Sequence, residues 1–359
     1  MKKTALIPLL LMVIIITISS CNNKNNEDNT IKKNYAWVVG AVDSTGYGLI
    51  LFSKDGGETW SRQAENNEAL KGIEITNIWA VDENNVWAIG LNNTILTTNN
   101  GGDTWTKVTN TPQEYNMADL MDISITNKTN IWISGSEGNQ GIVYYSNDNG
   151  NNWKVCDSSF FDNTFPQGVL ALDNQNAYIV GAQNNNRKDR GFIAYTNDGG
   201  ESWDSIEPAD NYNKWEWIGA VSSGNTIVIN GDKSRYLVSN DGGSTWLNDS
   251  ILGTGGEDGA DINDLIMLDS KVWWGAFDMG QIYITVDGGK NWIKQETPDL
   301  GGTFLLGIDA YDNYSALAVS SVSSWPPVCP IIKTNNGGAT WERKYTLYSS
   351  LNKVSFIKD

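Results

Sequence analysis

The sequence predicts an all-β fold, a seven-bladed β-propeller of four-stranded antiparallel blades whose ring is closed by the C-terminal strand. Three observations lead to this prediction: an eight-residue segment that occurs seven times, the near-equal spacing of its copies, and an unequal number of strands at the two chain ends. The segment reads Ser/Thr, any residue, Asp/Asn, Gly/Asn, Gly, any residue, a mostly small polar residue and Trp, and we call it the box. Successive box tryptophans lie 43 to 50 positions apart in the 359-residue chain, a period typical of propeller blades.

Each box predicts a tight turn between two strands. The Asp or Asn side chain can accept hydrogen bonds from nearby backbone N–H groups, and the glycines that follow allow positive φ. The Trp opens the outgoing strand and is expected to be buried, which contributes roughly 2–3 kcal/mol for each ring. The turn residue and tryptophan of the seven boxes are Asp55 and Trp60, Asn100 and Trp105, Asp148 and Trp153, Asp198 and Trp203, Asp241 and Trp246, Asp287 and Trp292, and Asn336 and Trp341.

From about Tyr35 to the end of the chain, this pattern resembles the Asp-box, or BNR, repeat. That repeat is known in sialidases, xyloglucan-active hydrolases, sortilin-type receptors and photosystem II assembly factor propellers. The segments Trp37–Gly40 and Leu49–Trp60 look most like the last of these families, which implies an assembly or scaffolding role in a bacterial envelope without implying photosynthesis. Because the families share the repeat but not the chemistry, the resemblance implies the fold more than the activity. Asn100 and Asn336 depart from the usual Asp but can still make the turn.

The residues before the repeats predict export and anchoring. Lys2 and Lys3 precede an apolar stretch, Ala5–Ile18, that is too short to favour a spanning helix. The segment that ends at Cys21 resembles the lipobox of bacterial lipoproteins, which implies lipid attachment to that cysteine. The predicted domains are a lipoprotein signal peptide and lipobox over 1–21, a disordered polar tether over 22–33 and the propeller over 34–359. We expect the protein to be exported across the cytoplasmic membrane and lipid-anchored in the bacterial cell envelope.

Strand counting predicts how the ring closes. The second repeat shows four strand-like runs, and comparable innermost strands are expected to begin near Asp119, Gly168, Trp217, Asp264 and Phe304. Only two runs, 35–40 and 48–52, precede the first box, where a full blade needs three. One run, Asn352–Ile357, remains after the last box. We therefore expect the C-terminal strand to be the innermost strand of the blade that contains Trp60.

Strand order also sorts the connections onto two faces. The boxes join the third and fourth strands of a blade, so they share one face, the box face, with the turns between the first and second strands. All other connections lie on the opposite face, the loop face. Its long segments Gly181–Gly191 and Val319–Pro330 and its aromatic and basic residues suggest a binding surface. The binding candidates are Trp325, Trp215, Arg187, Arg190, Tyr212 and Phe160.

Composition excludes several functions. A net charge of −17 disfavours nucleic acid as a partner, and the absence of His removes the commonest general base and metal ligand. Three cysteines without a CxxC pair give no zinc signal, and Cys156 and Cys329 fall in distant blades, so both thiols are expected to be free. No metal or cofactor is predicted.

Two enzyme classes can be compared with the residues present. The resemblance to sialidases would require an arginine triad, but Arg62 and Arg343 fall on predicted outermost strands, so sialidase activity is disfavoured. A glycan-active hydrolase, which needs two carboxyls roughly 5–10 Å apart, remains the alternative. Its candidate carboxylates, expected on the loop face near the starts of innermost strands, are Asp119, Asp122, Glu216, Asp261 and Asp264. The favoured prediction is a monomeric, membrane-anchored, non-catalytic propeller that binds an envelope protein or a glycan.

Overall fold

Seven four-stranded antiparallel sheets make up the part of the chain that the structure describes, which confirms the predicted seven-bladed propeller. The computed structural model describes residues 34–357 except 185–188, 208–214, 252–258, 301 and 322–327. We number the blades in chain order, so that blade 1 contains Trp60.

The strands of the first four blades are as follows. Blade 1 has β1 (Ala36–Val42), β2 (Gly48–Ser53) and β3 (Ser61–Arg62); blade 2 has β4 (Ile75–Ala80), β5 (Val86–Gly90), β6 (Thr94–Thr98) and β7 (Thr106–Lys107); blade 3 has β8 (Asp119–Thr126), β9 (Asn130–Glu137), β10 (Gln140–Ser146) and β11 (Lys154–Val155); blade 4 has β12 (Thr164–Ala171), β13 (Ala177–Asn184), β14 (Asp189–Thr196) and β15 (Asp204–Ser205).

The remaining blades and the last strand follow the same order. Blade 5 has β16 (Trp217–Ser223), β17 (Thr226–Gly231), β18 (Arg235–Ser239) and β19 (Leu247–Ser250); blade 6 has β20 (Ile262–Met267), β21 (Trp273–Phe277), β22 (Ile282–Thr285) and β23 (Ile293–Lys294); blade 7 has β24 (Phe304–Ala310), β25 (Ala316–Ser321), β26 (Cys329–Thr334) and β27 (Glu342–Leu347); the last strand is β28 (Leu351–Phe356). Short 3-10 turns occur at Glu68–Leu70, Gln113–Tyr115, Asp232–Ser234 and Asp278–Gly280.

The ring closes as the strand count predicted. β28 pairs antiparallel with β1 and becomes the innermost strand of blade 1, with Trp37 opposite Ser355. A second contact joins blades 1 and 7 at the box face, where Glu58 accepts hydrogen bonds from Lys333 at 2.7 Å and Lys344 at 2.8 Å. The first and last of the described strands, β1 and β28, are therefore paired in one sheet.

Two innermost strands begin earlier than expected. β12 begins at Thr164 rather than near Gly168, and β20 begins at Ile262 rather than near Asp264. In both strands the pairing continues through a bulge, between Pro166 and Gly168 in β12 and just before Asp264 in β20. The glycine or carboxylate at the bulge resembles a strand start in the sequence because it interrupts the apolar pattern.

The box turns are closed by their own side chains. In blade 1, Ser53 Oγ donates to Asp55 Oδ1 at 2.8 Å and accepts from the Gly57 N–H at 2.7 Å. Asp55 also accepts from the Thr59 N–H at 2.9 Å and the Thr59 hydroxyl at 2.6 Å. The bond between the first and third box residues recurs in the other six boxes.

The predicted division into two faces is confirmed by backbone hydrogen bonds. In blade 2 the Gly101 N–H donates to the Asn84 carbonyl at 3.0 Å, which joins the box to the turn between β4 and β5. Equivalent bonds join boxes and first turns in blades 4, 5, 6 and 7, from Gly199 to Gln175, Gly242 to Asn225, Gly288 to Lys271 and Gly337 to Tyr314. The box face is therefore a surface of paired turns that use their polar groups internally.

Each box tryptophan packs on the preceding blade. The Trp203 ring of blade 4 meets Trp132 on β9 of blade 3 edge-on, with ring centroids 6.1 Å apart. The same contact joins Trp153 to Trp87 and Trp341 to Trp274. The second box glycine has to fit against this surface, since a Cβ on Gly243 would lie 1.9 Å from Tyr178 Oη.

Burial of the box tryptophans is less uniform than predicted. Trp105, Trp203 and Trp341 are buried, whereas Trp60, Trp153, Trp246 and Trp292 are half-buried. The box lies at the surface end of its blade, so only neighbouring side chains can cover the outer side of the ring. Around Trp203 that cover includes Phe161, whose ring centroid lies 5.2 Å away.

The box carboxylate provides a test of local stability. We expect Asp55→Ala to lower the free energy of unfolding by roughly 1–2 kcal/mol, because the Thr59 N–H loses its acceptor. Asp55→Asn should cost less than Asp55→Ala, because Asn100 and Asn336 make the same turn in blades 2 and 7, although the amide lacks the charge of Asp55. Urea unfolding measures both variants, and equal losses for Ala and Asn would contradict this account.

The same carboxylate predicts a dependence on pH. Burial opposes ionisation of Asp55, but hydrogen bonds from Thr59, Ser53 and Glu58 outweigh it and lower its pKa to about 2. Because the folded pKa lies below the unfolded value, this contribution to stability is present above about pH 4 and is lost as the pH falls towards 2. Asp55→Asn should remove it, which acid unfolding curves of the two proteins would show.

Candidate functional site

The innermost strands of the seven blades surround a channel along the propeller axis, with a volume of about 590 Å³. Each innermost strand has a register shift against its neighbour, as between Leu120 and Asp122. Such a bulge changes the side to which successive side chains point. Met121, at the bulge, and Asp122, directly after it, both line the channel.

Four charged side chains lie at the middle of this channel: Asp122, Asp264, Asp309 and Lys353. Lys353 Nζ lies 2.7 Å from Asp264 Oδ1, although their strands are two blades apart. Gly307 on the strand between them has no side chain, and a Cβ there would lie 3.0 Å from Lys353 Cα. The missing side chain leaves room for the lysine to reach across blade 7.

The channel carboxylates and hydroxyls also join consecutive blades. Five of these side chains accept a hydrogen bond from a backbone N–H of the next innermost strand. These bonds are Asp122 with Val169 at 2.9 Å, Ser124 with Ala171 at 3.1 Å, Asp264 with Ile308 at 2.8 Å, Asp309 with Phe356 at 2.8 Å and Ser355 with Ala80 at 3.2 Å. The polar lining therefore has a structural role in holding the ring together.

Burial and neighbouring charges have opposite effects on the pKa values of Asp122 and Lys353. Burial raises the pKa of Asp122 to about 6, and the positive charge of Lys353 only partly offsets it. Burial disfavours the charged form of Lys353, but Asp264 and Asp122 outweigh this effect and raise the pKa of the lysine. Lys353 therefore stays protonated at neutral pH, whereas Asp122 titrates close to it.

One part of the channel wall is apolar. Trp79, Leu170, Val221 and Ile266 line the channel on β4, β12, β16 and β20. At the level of Asp122 and Asp264, blades 4 and 5 carry Gly168 and Gly219 instead of a polar side chain. A Cβ on Gly168 would lie 2.8 Å from the Ile218 carbonyl, so the backbones of these two blades approach closely. The channel thus has charged side chains at its middle and an apolar surface along part of its wall.

The five candidate carboxylates of the hydrolase alternative separate into two places. Asp122 and Asp264 line the channel rather than the loop face on which they were expected, and both accept hydrogen bonds from backbone N–H groups. Asp119 is exposed at the start of β8. Glu216 and Asp261 lie at the loop face, where Asp261 Oδ1 accepts from the Lys233 N–H at 2.9 Å. The sequence did not identify Asn77, Asp309 and Lys353 as members of the channel set.

A second acidic group lies at the loop face of blades 5 and 6. Asp232 accepts from the Glu216 N–H at 3.2 Å, and Asn263 donates to Asp278 at 2.9 Å. Burial and the nearby Asp261 raise the pKa of Asp232 to about 6. Burial is also the main reason that the pKa of Asp278 is raised.

The predicted binding candidates are only partly within the described residues. Trp325, Arg187 and Tyr212 lie outside them. Trp215 is half-buried, and the Arg235 guanidinium carbon lies 4.8 Å from its ring centroid. Arg190 is exposed, but it belongs to β14 opposite Gln183, so both described ends of the expected long loop are paired strands. Phe160 packs on the buried Phe161 with ring centroids 5.1 Å apart, which makes it part of the packing rather than an exposed contact.

Apolar exposure on the loop face was not anticipated from the sequence. Among the described residues, the exposed large apolar side chains there are Val42, Met117, Met279, Phe304 and Tyr348. The box face has Val286 and Tyr314, and Leu247 and Ile293 lie on outermost strands. A Met or Tyr within a loop gives no periodic signal, so only the structure shows that these side chains share a face.

Cysteines, metal ligands and membrane spans give three plain findings. Cys156 and Cys329 are free and buried, and burial raises their thiol pKa values to about 12 and about 11. Within the described ranges, no group of three or more acidic or cysteine side chains is placed to hold a metal ion. No helix in the same part of the chain has the length and apolar character needed to cross a membrane.

The fold and the channel define a propeller built from box repeats, and the comparison with protein families gives its family. The model described as "Sortilin-Vps10: Sortilin, neurotensin receptor 3" matches residues 48–195 and again 95–236, together more than half of the chain. The chain belongs to the Sortilin-Vps10 family. No curated protein matches the sequence.

Solved structures with the same fold are distant in sequence. A structure described as "YCF48 bound to D1 peptide" has a TM-score of 0.58 and 17% identity, over 86% of this chain and 86% of that one. YCF48 from Cyanidioschyzon merolae has a TM-score of 0.56 and 16% identity, over 85% of this chain and 97% of that one. A GH74 enzyme of Niastella koreensis has a TM-score of 0.46 and 15% identity, over 86% of this chain and 63% of that one. The similarity to YCF48 shows a shared fold.

Proposed function

We propose that the chain is a non-catalytic propeller scaffold that binds a protein partner through its loop face. The observation that carries this proposal is the distribution of exposed apolar side chains, most of which lie on the loop face. Exposed apolar surface on a rigid domain is typical of an interaction site. The box face, by contrast, uses its polar groups in its own turns.

The most concentrated part of this surface lies on blades 6 and 7. Met279 is 62% exposed and Phe304 38% exposed. Met279 has a φ of 58°, a left-handed conformation that costs energy for a residue of this type. Asn92 has nearly the same φ in the equivalent connection of blade 2, where the side chain suits the conformation. An apolar residue retained in such a conformation supports a role in contact with a partner.

Two further arguments concern the partner. YCF48, which shares this fold, is described in complex with a D1 peptide, and this supports a protein rather than a glycan as the ligand class. The net charge of −17 favours a partner with a basic surface, because opposite charges speed association and discriminate between partners. We propose an envelope protein as this partner and a monomeric state for the chain.

Differential capture from an envelope extract tests the loop face. We expect Met279→Asn combined with Phe304→Ser to remove a specific partner captured by the wild-type protein, with little change in melting temperature. The matched control is Val286→Asn with Tyr314→Ser, two exposed positions on the box face. If the box-face control pair lost the partner and the loop-face pair kept it, the interaction would lie on the box face and the proposal would be wrong.

Anchoring through Cys21, which lies outside the described residues, is the second part of the proposal. We expect Cys21→Ser to release the protein from the membrane fraction or to block its maturation, because the lipid has no other attachment site in the lipobox. Fractionation after a high-salt wash, with mass analysis of the N-terminus, measures this. A normally processed mutant that remained on the membrane would count against lipidation.

A glycan-active hydrolase is the second candidate function. The position of Asp122 and Asp264 in one channel, with the pKa of Asp122 raised to about 6, is the observation in its favour. Their hydrogen bonds to backbone N–H groups favour the structural role instead. A screen of the purified protein against polysaccharides and sialosides, repeated with Asp122→Asn, separates the two.

A further inference from the structure

The central channel has the dimensions of a small-molecule site and is independent of the loop face proposed above. Its volume of about 590 Å³ lies within the range of 300 to 1,000 Å³ that is typical of ligand pockets. All seven innermost strands contribute to its wall, so its shape is fixed by the ring rather than by a loop.

Charge in the channel is unbalanced. Among the described lining residues, the carboxylates are Glu74, Asp122, Asp264 and Asp309, and the single cation is Lys353. That cation is paired with Asp264 at 2.7 Å. In a partly enclosed cavity the remaining negative charge is weakly screened and attracts a positive group.

Asp122 is the carboxylate best placed to receive such a group. Its hydrogen bonds come from the Asn77 side chain at 2.8 Å and the backbone N–H groups of Ile123 and Val169, each at 2.9 Å. These are neutral donors, and an ionised carboxylate has about four acceptor positions. One position on Asp122 therefore remains for a charged donor in the channel.

The apolar wall indicates what the rest of the ligand must be. Trp79, Leu170, Val221 and Ile266 face the same cavity as Asp122. A hydrated metal ion would leave this wall unused, whereas an organic ligand with an apolar body would cover it. The ring of Trp79 is also attractive to a cation.

We propose that the channel binds a small organic cation, a primary ammonium with an apolar or aromatic body, whose charged group bonds Asp122. The negative charges of Asp264, Asp309 and Glu74 also attract the ammonium into the channel. The positive charge of Lys353 opposes this attraction. The raised pKa of Asp122 supports this assignment, because burial opposes ionisation of this carboxylate and the charge of Lys353 offsets that effect only in part. An ammonium in the channel should lower that pKa, so binding should weaken as the pH falls from 7.5 to 5.

Calorimetric titration with three matched probes tests the proposal on the full chain. We expect 2-phenylethylammonium to bind saturably and about tenfold more tightly than the neutral 2-phenylethanol, and phenylacetate to show no binding. Asp122→Asn should weaken the ammonium about tenfold and remove the dependence on pH. Asp119→Asn, three residues earlier and outside the channel lining, is the matched control and should bind like the wild-type protein.

A measurement on the wild-type protein covers the case in which Asp122→Asn does not fold. The indole N–H resonance of Trp79, assigned with Trp79→Phe, should move during titration with 2-phenylethylammonium, while that of Trp215 on the loop face should not. Equal binding of the ammonium and the alcohol, no saturable binding of either, or a shift confined to Trp215 would overturn the proposal. The double variant Met279→Asn with Phe304→Ser should leave ammonium binding unchanged. The channel proposal and the loop-face proposal are therefore tested independently.

Discussion

Removal of residues 351–359 should abolish the cooperative unfolding transition of the propeller. The deleted strand carries Leu351, Val354 and Phe356, which are at most 2% exposed. The loss of a single large buried side chain typically costs about 2–5 kcal/mol, and three together approach or exceed the usual total stability of 5–15 kcal/mol. The deletion also removes the partner of β1 and the backbone N–H of Phe356 that Asp309 accepts.

Two controls make this deletion informative. Removal of 358–359 alone should leave the melting curve unchanged, and Phe356→Ala should lower the free energy of unfolding by about 3–5 kcal/mol. Circular dichroism and calorimetry measure all three proteins. If the chain that ends at Ser350 melted like the full-length protein, ring closure by β28 would be wrong.

The second large effect is expected at a box tryptophan. Trp203→Ala should lower the free energy of unfolding by about 3–5 kcal/mol, because the ring is 7% exposed and touches Trp132 and Phe161. Trp246→Ala is the matched variant at the same place in the next blade. Its ring is half-buried with Tyr178 at 5.9 Å, so we expect a smaller loss. Equal losses at the two positions in urea unfolding would show that the burial of the ring, to which Phe161 contributes at Trp203, does not set the energy.

The number of blades and the ring closure could be predicted from the sequence because both depend on local patterns. A box needs Asp or Asn, glycine and tryptophan at fixed positions, and its turn is closed by residues within five positions of each other. The closing strand could be inferred because one blade lacked a strand and one strand remained. Neither inference requires knowledge of how side chains meet across the ring.

The channel could not be predicted in the same way. Asp119 and Asp122 lie three positions apart on β8, and simple alternation puts them on opposite sides without saying which side faces the axis. The bulge between Leu120 and Asp122 instead puts Asp119 and Asp122 on the same side, opposite Ser136 and Ser134 of β9. Asp119 stays out of the channel because it lies at the exposed start of β8. Lys353 did leave a signal, since a lysine in the middle of a predicted innermost strand requires a partner. That partner, Asp264, is 89 positions away, so only the folded ring identifies it.

The sequence predicted the division into two faces, but it did not identify which side chains are exposed on the loop face. Arg190 proved to lie on a strand, and Phe160 packs on Phe161. Exposure of Met279 and Phe304 depends on how the connections of blades 6 and 7 pack together. Sequence reasoning gave priority to Trp and Arg because of their frequency in binding sites, and it gave no weight to Met.

The contact between each box and the preceding blade affects how such a protein can be recombined. The sequence period suggests a module that begins with an innermost strand and ends with a box tryptophan. However, Trp203 packs on Trp132, which belongs to the preceding blade. Gly243 likewise lies against Tyr178 of its preceding blade, where a Cβ would clash. A repeat grafted into another propeller would carry its tryptophan but leave the receiving aromatic behind. Trp132 and Trp203 lie 71 positions apart, which is more than one repeat, so a chimera should exchange at least two consecutive blades for an aromatic and the box that packs on it to be inherited together.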